Sequence, residues 1–346
     1  MSQQSMTTIT PRIAKQMGEI LRHAVPKEVL GITGAHHQMK RNASDVIIYR
    51  RWIPTGGAST NATTQNTWSV DAVAHQTQEG VTTTPETISS VDITVTMRQY
   101  SCLYMYTDKV ADMYEDDIPS GMKKITGQRM GLLREIIRYG ALKGCTNKFY
   151  AGGTSRTTTD EVLGYNFLSK ISRSLLANRA DPVTEVLSAS NKFNTAPVEA
   201  AFLVFCHTDC EHDIRQLPNF KEVVAYGNVK PVHAMELGSS GRYRFIISPE
   251  LASIPDSGAA VAGLGLKSTT GTSADIYPVI VVAEEAWGDV ALRGLDSFDM
   301  TDLKPGQKDK FDPQGQRGYI GAKFYSAAFV QNDGWMAVGE VAVTDL

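Results

Sequence analysis

The sequence predicts an α+β fold whose strands are interrupted by a long excursion with little apolar content. Three observations carry this. Residues 90–108 (SVDITVTMRQYSCLYMYTD) open with strict alternation, Val91, Ile93, Val95 and Met97 against Asp92, Thr94, Thr96 and Arg98, the period of a half-buried strand. Residues 121–144 keep helical spacing through Met122, Ile125, Leu132, Leu133, Ile136, Ile137 and Leu142, which predicts one long helix. From Pro197 onward, short apolar strands alternate with short helices. Strands and helices therefore both occur, in runs rather than in a regular alternation.

The chain has 346 residues, 42% hydrophobic and 21% charged, with a net charge of −3. This is ordinary for a folded protein of one large or two moderate domains. No global basicity marks it as a nucleic-acid binder, so any charge argument has to be local. No stretch approaches the roughly 20 apolar residues of a membrane-spanning helix. The polar first ten residues carry no signal-peptide core, and the chain is expected to remain in the cytosol that makes it. Four cysteines are too few to staple such a chain, so reduced thiols are expected.

The elements follow in order. Thr10-Pro11, then Ile13, Met17, Ile20 and Leu21, predict a helix over residues 10–24. From Arg12 to Arg41 six Lys/Arg face Glu19 and Glu28, so this arm is locally basic. DVIIYRRWI (45–53) reads as a strand. Residues 54–87 follow, rich in Thr, Ala, Gly, Gln and Ser and without a single Lys or Arg. The second extended segment, 90–108, could reach on the order of 60 Å if unbroken. Two strands around a polar connection describe an arm, and an isolated two-stranded ribbon is only marginally stable in water. It needs a surface to lie on, and a neighbouring copy is the economical candidate. Long structureless loops otherwise argue against an assignment.

Glu115-Asp116-Asp117 precedes the long helix, and Lys123, Lys124, Arg129, Arg134, Arg138 and Lys143 follow along it, an order that suits the helix dipole. At 1.5 Å per residue it spans roughly 35 Å. Gly152-Gly153 marks a turn, and Phe167, Ile171, Leu175 and Leu176 predict a helix over 166–178. Strands are expected at 201–206, 242–247 and 277–283, a short helix at 209–217, a loop at 257–275 and a charged connector at 301–316. Two closing strands, 320–330 and 335–343, are joined by Asn332-Asp333-Gly334. No internal repeat is present.

The sequence carries several clusters of potentially reactive side chains, none with a complete catalytic signature. Cys206, His207, Asp209, Cys210 and His212 resemble half of a zinc site, but no second pair completes it; a cysteine ending an apolar strand is ordinarily just small and buried. His36-His37 lacks any metalloprotease context and reads as a solvated turn. Cys145 has no nucleophile signature around it. The loop Gly263–Ser268 fails the phosphate-loop pattern because Leu266 stands where glycine must precede lysine. No catalytic residue, cofactor or metal site is assigned. The basic helix has two readings, a solvated face with ordinary ion pairs or a surface neutralising nucleic-acid phosphates without reading sequence; on the second, Lys123, Lys124, Arg129 and Arg134 face the nucleic acid.

The order of parts, together with RYGALKGCTNKFYAGG (138–153), PVEAAFLVFCHTDCEHDIRQLPNF (197–220), EVVAYGN (222–228), RYRFIISPEL (242–251) and YPVIVVAEEAWGDVALRG (277–294), resembles the major capsid proteins of tailed bacteriophages. More narrowly, these segments are similar to the N4-like podovirus coat proteins. The resemblance implies the Hong Kong 97-type fold, divided as an N-terminal arm (1–44), an extended loop with its flanking strands (45–108), a peripheral domain holding the long helix (109–196), an axial domain (197–294) and returning C-terminal strands (295–346). It implies a non-enzymatic subunit of pentamers and hexamers in a phage head. Its partners would be copies of itself and packaged double-stranded DNA, with scaffolding, portal and cementing proteins as further ones and no membrane. In the founding member a lysine of the extended loop bonds covalently to a neighbour. Trp52–Met97 contains no lysine, so a non-covalent shell is expected. Thr55, Thr60, Thr63, Trp68, Val73, Thr82 and Thr87 are the expected intersubunit contacts. A metal-dependent hydrolase using His207, Asp209 and His212, or a tail or decoration protein, are the alternatives.

Overall fold

The computed structural model describes residues 26–53 (except 41 and 43), 71–113 (except 74, 78, 83, 84 and 86), 117–184, 200–227, 230–292 (except 262) and 298–346 (except 309). The helix expected over residues 10–24 and the acidic pair Glu115-Asp116 lie outside them.

Four strands come first: β1 (Ala35–Met39), β2 (Val46–Ile53), β3 (Ser89–Thr96) and β4 (Arg98–Thr107). They lead into α1 (Asp108–Met113) and the long α2 (Ile118–Lys143). Next come β5 (Lys148–Tyr150), α3 (Tyr165–Ala177), β6 (Phe202–Cys206), α4 (Glu211–Arg215), β7 (Lys221–Glu222), β8 (Glu236–Ser240) and β9 (Tyr243–Ile247). The chain continues through β10 (Tyr277–Val282), β11 (Trp287–Leu292), β12 (Asp299–Leu303), β13 (Arg317–Val330) and β14 (Met336–Val341).

The larger sheet runs β5-β14-β10-β6-β9-β8-β7. Its central strands are apolar on both faces because both are covered. On one side α3 lays Phe167, Leu168, Ile171 and Leu175 against Val204, Val279, Val281 and Ala337. Gly339 permits that approach, since a Cβ there would stand 2.7 Å from the Phe167 ring. On the other side Leu203, Phe205, Ile280, Val282 and Val338 pack with Tyr139 and Leu142 of α2 and with Val29, Leu30 and Trp287.

The second sheet is built around β13. Lys323 pairs with both Ser101 and Asp299, and Ser326 with both Arg98 and Ala291. So β4 lines one edge of β13 while β11 and then β12 line the other. β1 adds to β11 in parallel. The third sheet is the β2–β3 ribbon, in register from Val46↔Thr96 to Ile53↔Ser89.

The structure departs from the sequence expectations at several elements. Residues 90–108 are two strands, not one: the chain switches partners at Met97, whose N–H bonds to the Asp45 carbonyl, so β3 belongs to the ribbon and β4 to the β13 sheet. The long helix starts earlier than residue 121, at Ile118, because Asp117 caps it, accepting from the Ser120 N–H at 3.1 Å with Pro119 in the first turn. Its 26 residues span about 39 Å. His36-His37 is no turn: both lie in β1. The connector 301–316 begins as strand β12. The closing strands do not pair with each other: Asn332 caps a short 3₁₀ turn, Asp333–Trp335, that carries the chain from β13 in one sheet to β14 in the other.

Candidate functional site

The ribbon has two unlike faces. Ile47, Tyr49, Ile93 and Val95 point inward and pack on Met39, Val290, Ala327 and Phe329; the Tyr49 ring stacks on Phe329 at 4.9 Å, interplanar angle 10°. The register puts Ile48, Arg50 and Trp52 on the other face, opposite Thr94, Asp92 and Ser90. There Ile48 is 61% and Trp52 64% exposed. Between them Arg50 donates to both Asp92 oxygens at 2.7 and 2.8 Å. A tryptophan and an isoleucine around a satisfied fork of charge are the composition of an interface anchor rather than of a solvated face.

A second apolar surface lies on the β13 sheet. Tyr100, Cys102, Tyr104 and Tyr106 of β4 alternate with outward Leu103 and Met105, both exposed. Met105 pairs with Tyr319 and Leu103 with Gly321; Leu303 of β12 pairs with Tyr319 from the other edge. Gly321 leaves room for this patch, for a Cβ there would meet the Leu103 side chain at 2.7 Å.

The opposite face of that sheet carries α2, through Met130, Leu133 and Ile137 on Ala322 and Phe324. Two charged members of α2 are buried and do structural work. Arg138 donates to Asp289 Oδ2 from Nε at 2.9 Å and Nη2 at 2.6 Å. Glu135 Oε1 accepts the N–H groups of Val29 and Leu30, both at 2.8 Å, tying the segment before β1 to the helix. Burial pushes the Glu135 carboxyl above its ordinary range, against the pull of those amides and of Arg138. Ile125 and Ile136, expected on the buried stripe, are 48% and 51% exposed: the helix meets the sheet along Met130–Ile137 and leaves their arc uncovered.

The residues expected to face nucleic acid divide as follows. Lys123 pairs with Asp302 at 2.6 Å. Arg129 donates to the Tyr104 hydroxyl at 3.1 Å and lies over its ring. Arg134 is partly buried, 3.6 Å from Glu28 and over the Phe298 ring. Lys124 is exposed. Of the expected intersubunit contacts, Val73, Thr82 and Thr87 are exposed, whereas Thr55, Thr60, Thr63 and Trp68 lie outside the described residues.

The Cys206–His212 segment is not assembled as a ligand set. Cys206 and Cys210 are core residues, and burial pushes the Cys206 thiol up to about 12. His212 Nε2 is 2.7 Å from the Gln216 amide on exposed α4 surface. His207 does stand beside Asp209, and burial lowers its pKa. Burial alone would raise the Asp209 carboxyl, but Lys267 at 2.5 Å and the Tyr277 hydroxyl at 2.7 Å donate to it and bring it below its ordinary value. Asp209 is thus a clamp between strand end and loop. Cys145 is likewise buried, its thiol pushed up to about 12 by desolvation.

No protein-family model matches the chain. It is 22% identical over 262 residues to a curated protein, the major capsid protein of Pseudomonas phage KPP21. That alignment covers 70% of this chain and 65% of the relative, a little under two thirds of the relative's length. Solved structures match over nearly the whole chain. The capsid of Ralstonia phage GP4 superposes with a TM-score of 0.61 at 12% identity, covering 99% of each chain. The head structure of Helicobacter pylori bacteriophage KHP40 gives 0.59 at 10%, covering 99% and 98%, and the Cyanophage Pam1 capsid 0.57 at 13%, covering 99% and 100%. The chain has the Hong Kong 97-type capsid fold, an α+β arrangement in which ribbon, long helix and central sheet occur together.

Proposed function

We propose that this chain is the major capsid protein of a tailed phage, a non-enzymatic subunit that assembles with copies of itself into the head shell. One observation carries the reading: a fold matched end to end by phage capsid chains presents, on a two-stranded ribbon, an exposed face with Ile48 and Trp52 that none of the described residues covers. The apolar surface of Leu103, Met105, Leu303 and Tyr319 is the counterpart we assign to the ribbon of a neighbour. Contacts of that head-to-tail kind close into rings, which is the symmetry of pentamers and hexamers. The connection between the ribbon's two strands, with Val73, Thr82 and Thr87 exposed, extends the same contact.

Within the tailed phages, the segments 138–153, 197–220 and 277–294 favour the N4-like podovirus coat proteins. As domains we take 45–108, with the ribbon, as the extended loop, 109–196, with α2, as the peripheral domain, 197–294 as the axial domain and 295–346 as the returning strands. Packaged double-stranded DNA is met by non-specific attraction to Lys124 and Arg129, with Lys123 and Arg134 contributing charge already shared with Asp302 and Glu28. Portal, scaffolding and cementing proteins complete the set of partners, and synthesis takes place in the host cytoplasm.

Negative-stain microscopy of the expressed chain tests this. Closed shells or curved sheets are expected, and a chain lacking residues 58–84 is expected to fold without forming them. A clean dilute monomer under all conditions overturns the assignment; shells of unchanged stability from the deletion overturn the role given to the arm.

A further inference from the structure

The uncovered arc of α2 carries more than two stray isoleucines. Ile125, Leu132 and Ile136, spaced by seven and four residues, form one stripe down the solvent side. The sheet holds the helix on one flank through Met130, Leu133 and Ile137. On the other, Glu135 holds the segment of Val29 and Leu30. Gly121 and Gly140 bracket the stripe. Both are exposed, and a Cβ added to either meets nothing within 4 Å. Glycine inside a helix costs stability relative to alanine, and nothing among the described residues requires it at these two places. A second helix crossing closely would: backbones approach where side chains are small, and a three-residue apolar stripe is the ridge such a helix packs on.

Charge selects the occupant. The only carboxylate of α2 is Glu135, and it is buried. Lys124, Arg129 and Lys143 rim the stripe, and no carboxylate among the described residues pairs with them. The chain's own segments that could supply such an occupant carry the wrong charge for this rim. α2 of a second copy brings the same cations, α3 carries Lys170 and Arg173 without an acid, and the arm around residues 12–22 bears Arg12, Lys15 and Arg22 against Glu19. Bare DNA would satisfy the cations but leave the isoleucines in water.

We propose that this face of α2 docks an amphipathic helix with acidic flanks supplied by a second protein, held by the Ile125–Leu132–Ile136 stripe and oriented by Lys124, Arg129 and Lys143. This is helix-in-groove recognition with an electrostatic rim. The head-shell reading determines only when the partner is needed, during assembly; the surface itself does not depend on it.

The probe is a fluorescent peptide of about 20 residues, leucines at i, i+3, i+4 and i+7 spacing and glutamates on the flanks. It is titrated by anisotropy against the soluble full chain, beside a lysine-flanked counterpart and a duplex DNA of similar length. The glutamate peptide is expected to bind, with affinity reduced at least about tenfold in Ile125→Ser/Ile136→Ser, and at least about tenfold weaker binding of the lysine peptide. These side chains are exposed, so the double variant keeps its circular dichroism and unfolding midpoint. Absence of peptide binding, or equal binding by the variant, overturns the proposal. DNA binding that survives the isoleucine changes and is lost in Lys124→Glu/Arg129→Glu, with no peptide binding, overturns the dock and leaves these cations the nucleic-acid role alone. Micrographs of the same preparations separate the two readings: shells without peptide binding remove the dock alone, and peptide binding without shells removes the head-shell assignment alone.

Discussion

Arg138 sits on α2 with its guanidinium almost wholly buried, and most of the residues that make this tolerable come from far along the chain. Asp289 of β11 takes two of its N–H groups, Ser326 of β13 donates to the remaining Asp289 oxygen at 3.3 Å, and Glu135 stands 3.9 Å from its Nη1. A buried ion pair adds little by itself, but removing one member strands the other in an apolar interior. Asp289→Ala is therefore expected to lower unfolding free energy by about 3–5 kcal/mol, read as the shift in denaturant midpoint of the unassembled subunit. Glu135 gives a pH signature of opposite sense to the usual carboxylate. Its folded pKa is raised, so the native state holds the proton more tightly than the unfolded chain. Stability from this group is fully present below the unfolded pKa and falls as pH climbs through the raised folded value. Glu135→Gln is expected to flatten that part of the stability–pH curve, measured by thermal unfolding from acid to neutral pH; an unchanged slope would show that other groups set it.

At the scale of elements, the ribbon shows what a one-dimensional pattern can and cannot say. Strict alternation in 90–96 identified β3 and its buried face, because one side meets the core and the other does not. In β2 the consecutive Val46-Ile47-Ile48 hides the period, so the outward places of Ile48 and Trp52 were not legible, although the register with β3 fixes them at once. The switch of partner at Met97 was equally silent, since β3 and β4 are both extended and only the identity of the neighbouring strand changes. In α2 the helix was plain, but apolar residues fall on more than one arc, and the pattern alone cannot choose which arc the sheet covers. Arg138 and Asp289 are 151 positions apart, beyond any local motif, although an aspartate inside the apolar run AWGDVAL was a signal of a buried partner. The ribbon yields its own test. Ile48→Ser/Trp52→Ser is expected to leave subunit unfolding unchanged while abolishing shells in negative stain; assembly that proceeds as before would remove these residues from the interface.

For the whole molecule, the distribution of lysine bears on how a shell would be held. The span Trp52–Met97 has none, so the arm has no amine to offer a neighbour's side chain. Purified particles boiled in SDS are expected to run as the single chain. A ladder of covalent multimers would show a different chemistry at work. With a single-chain band, head stability is expected to rest on buried apolar area and paired charge and to follow subunit concentration and denaturant in the manner of any reversible association.

The parallel pairing of β1 with β11 has one more consequence, and it concerns time. Ala35 meets Gly288 and Met39 meets Leu292, partners separated by about 250 residues, which a ribosome adding roughly 5–20 residues each second needs about 12–50 s to deliver. Until then Met39, Ile47, Tyr49, Ile93 and Val95 have no Val290, Ala327 or Phe329 to lie against. The nascent chain thus carries a ribbon with neither face seated, and contacts of such long sequence separation are slow to form even after release. The ribbon is aimed only once the last strands exist, so a chain still on the ribosome cannot present it correctly to a neighbour, and joining is deferred until each copy is whole.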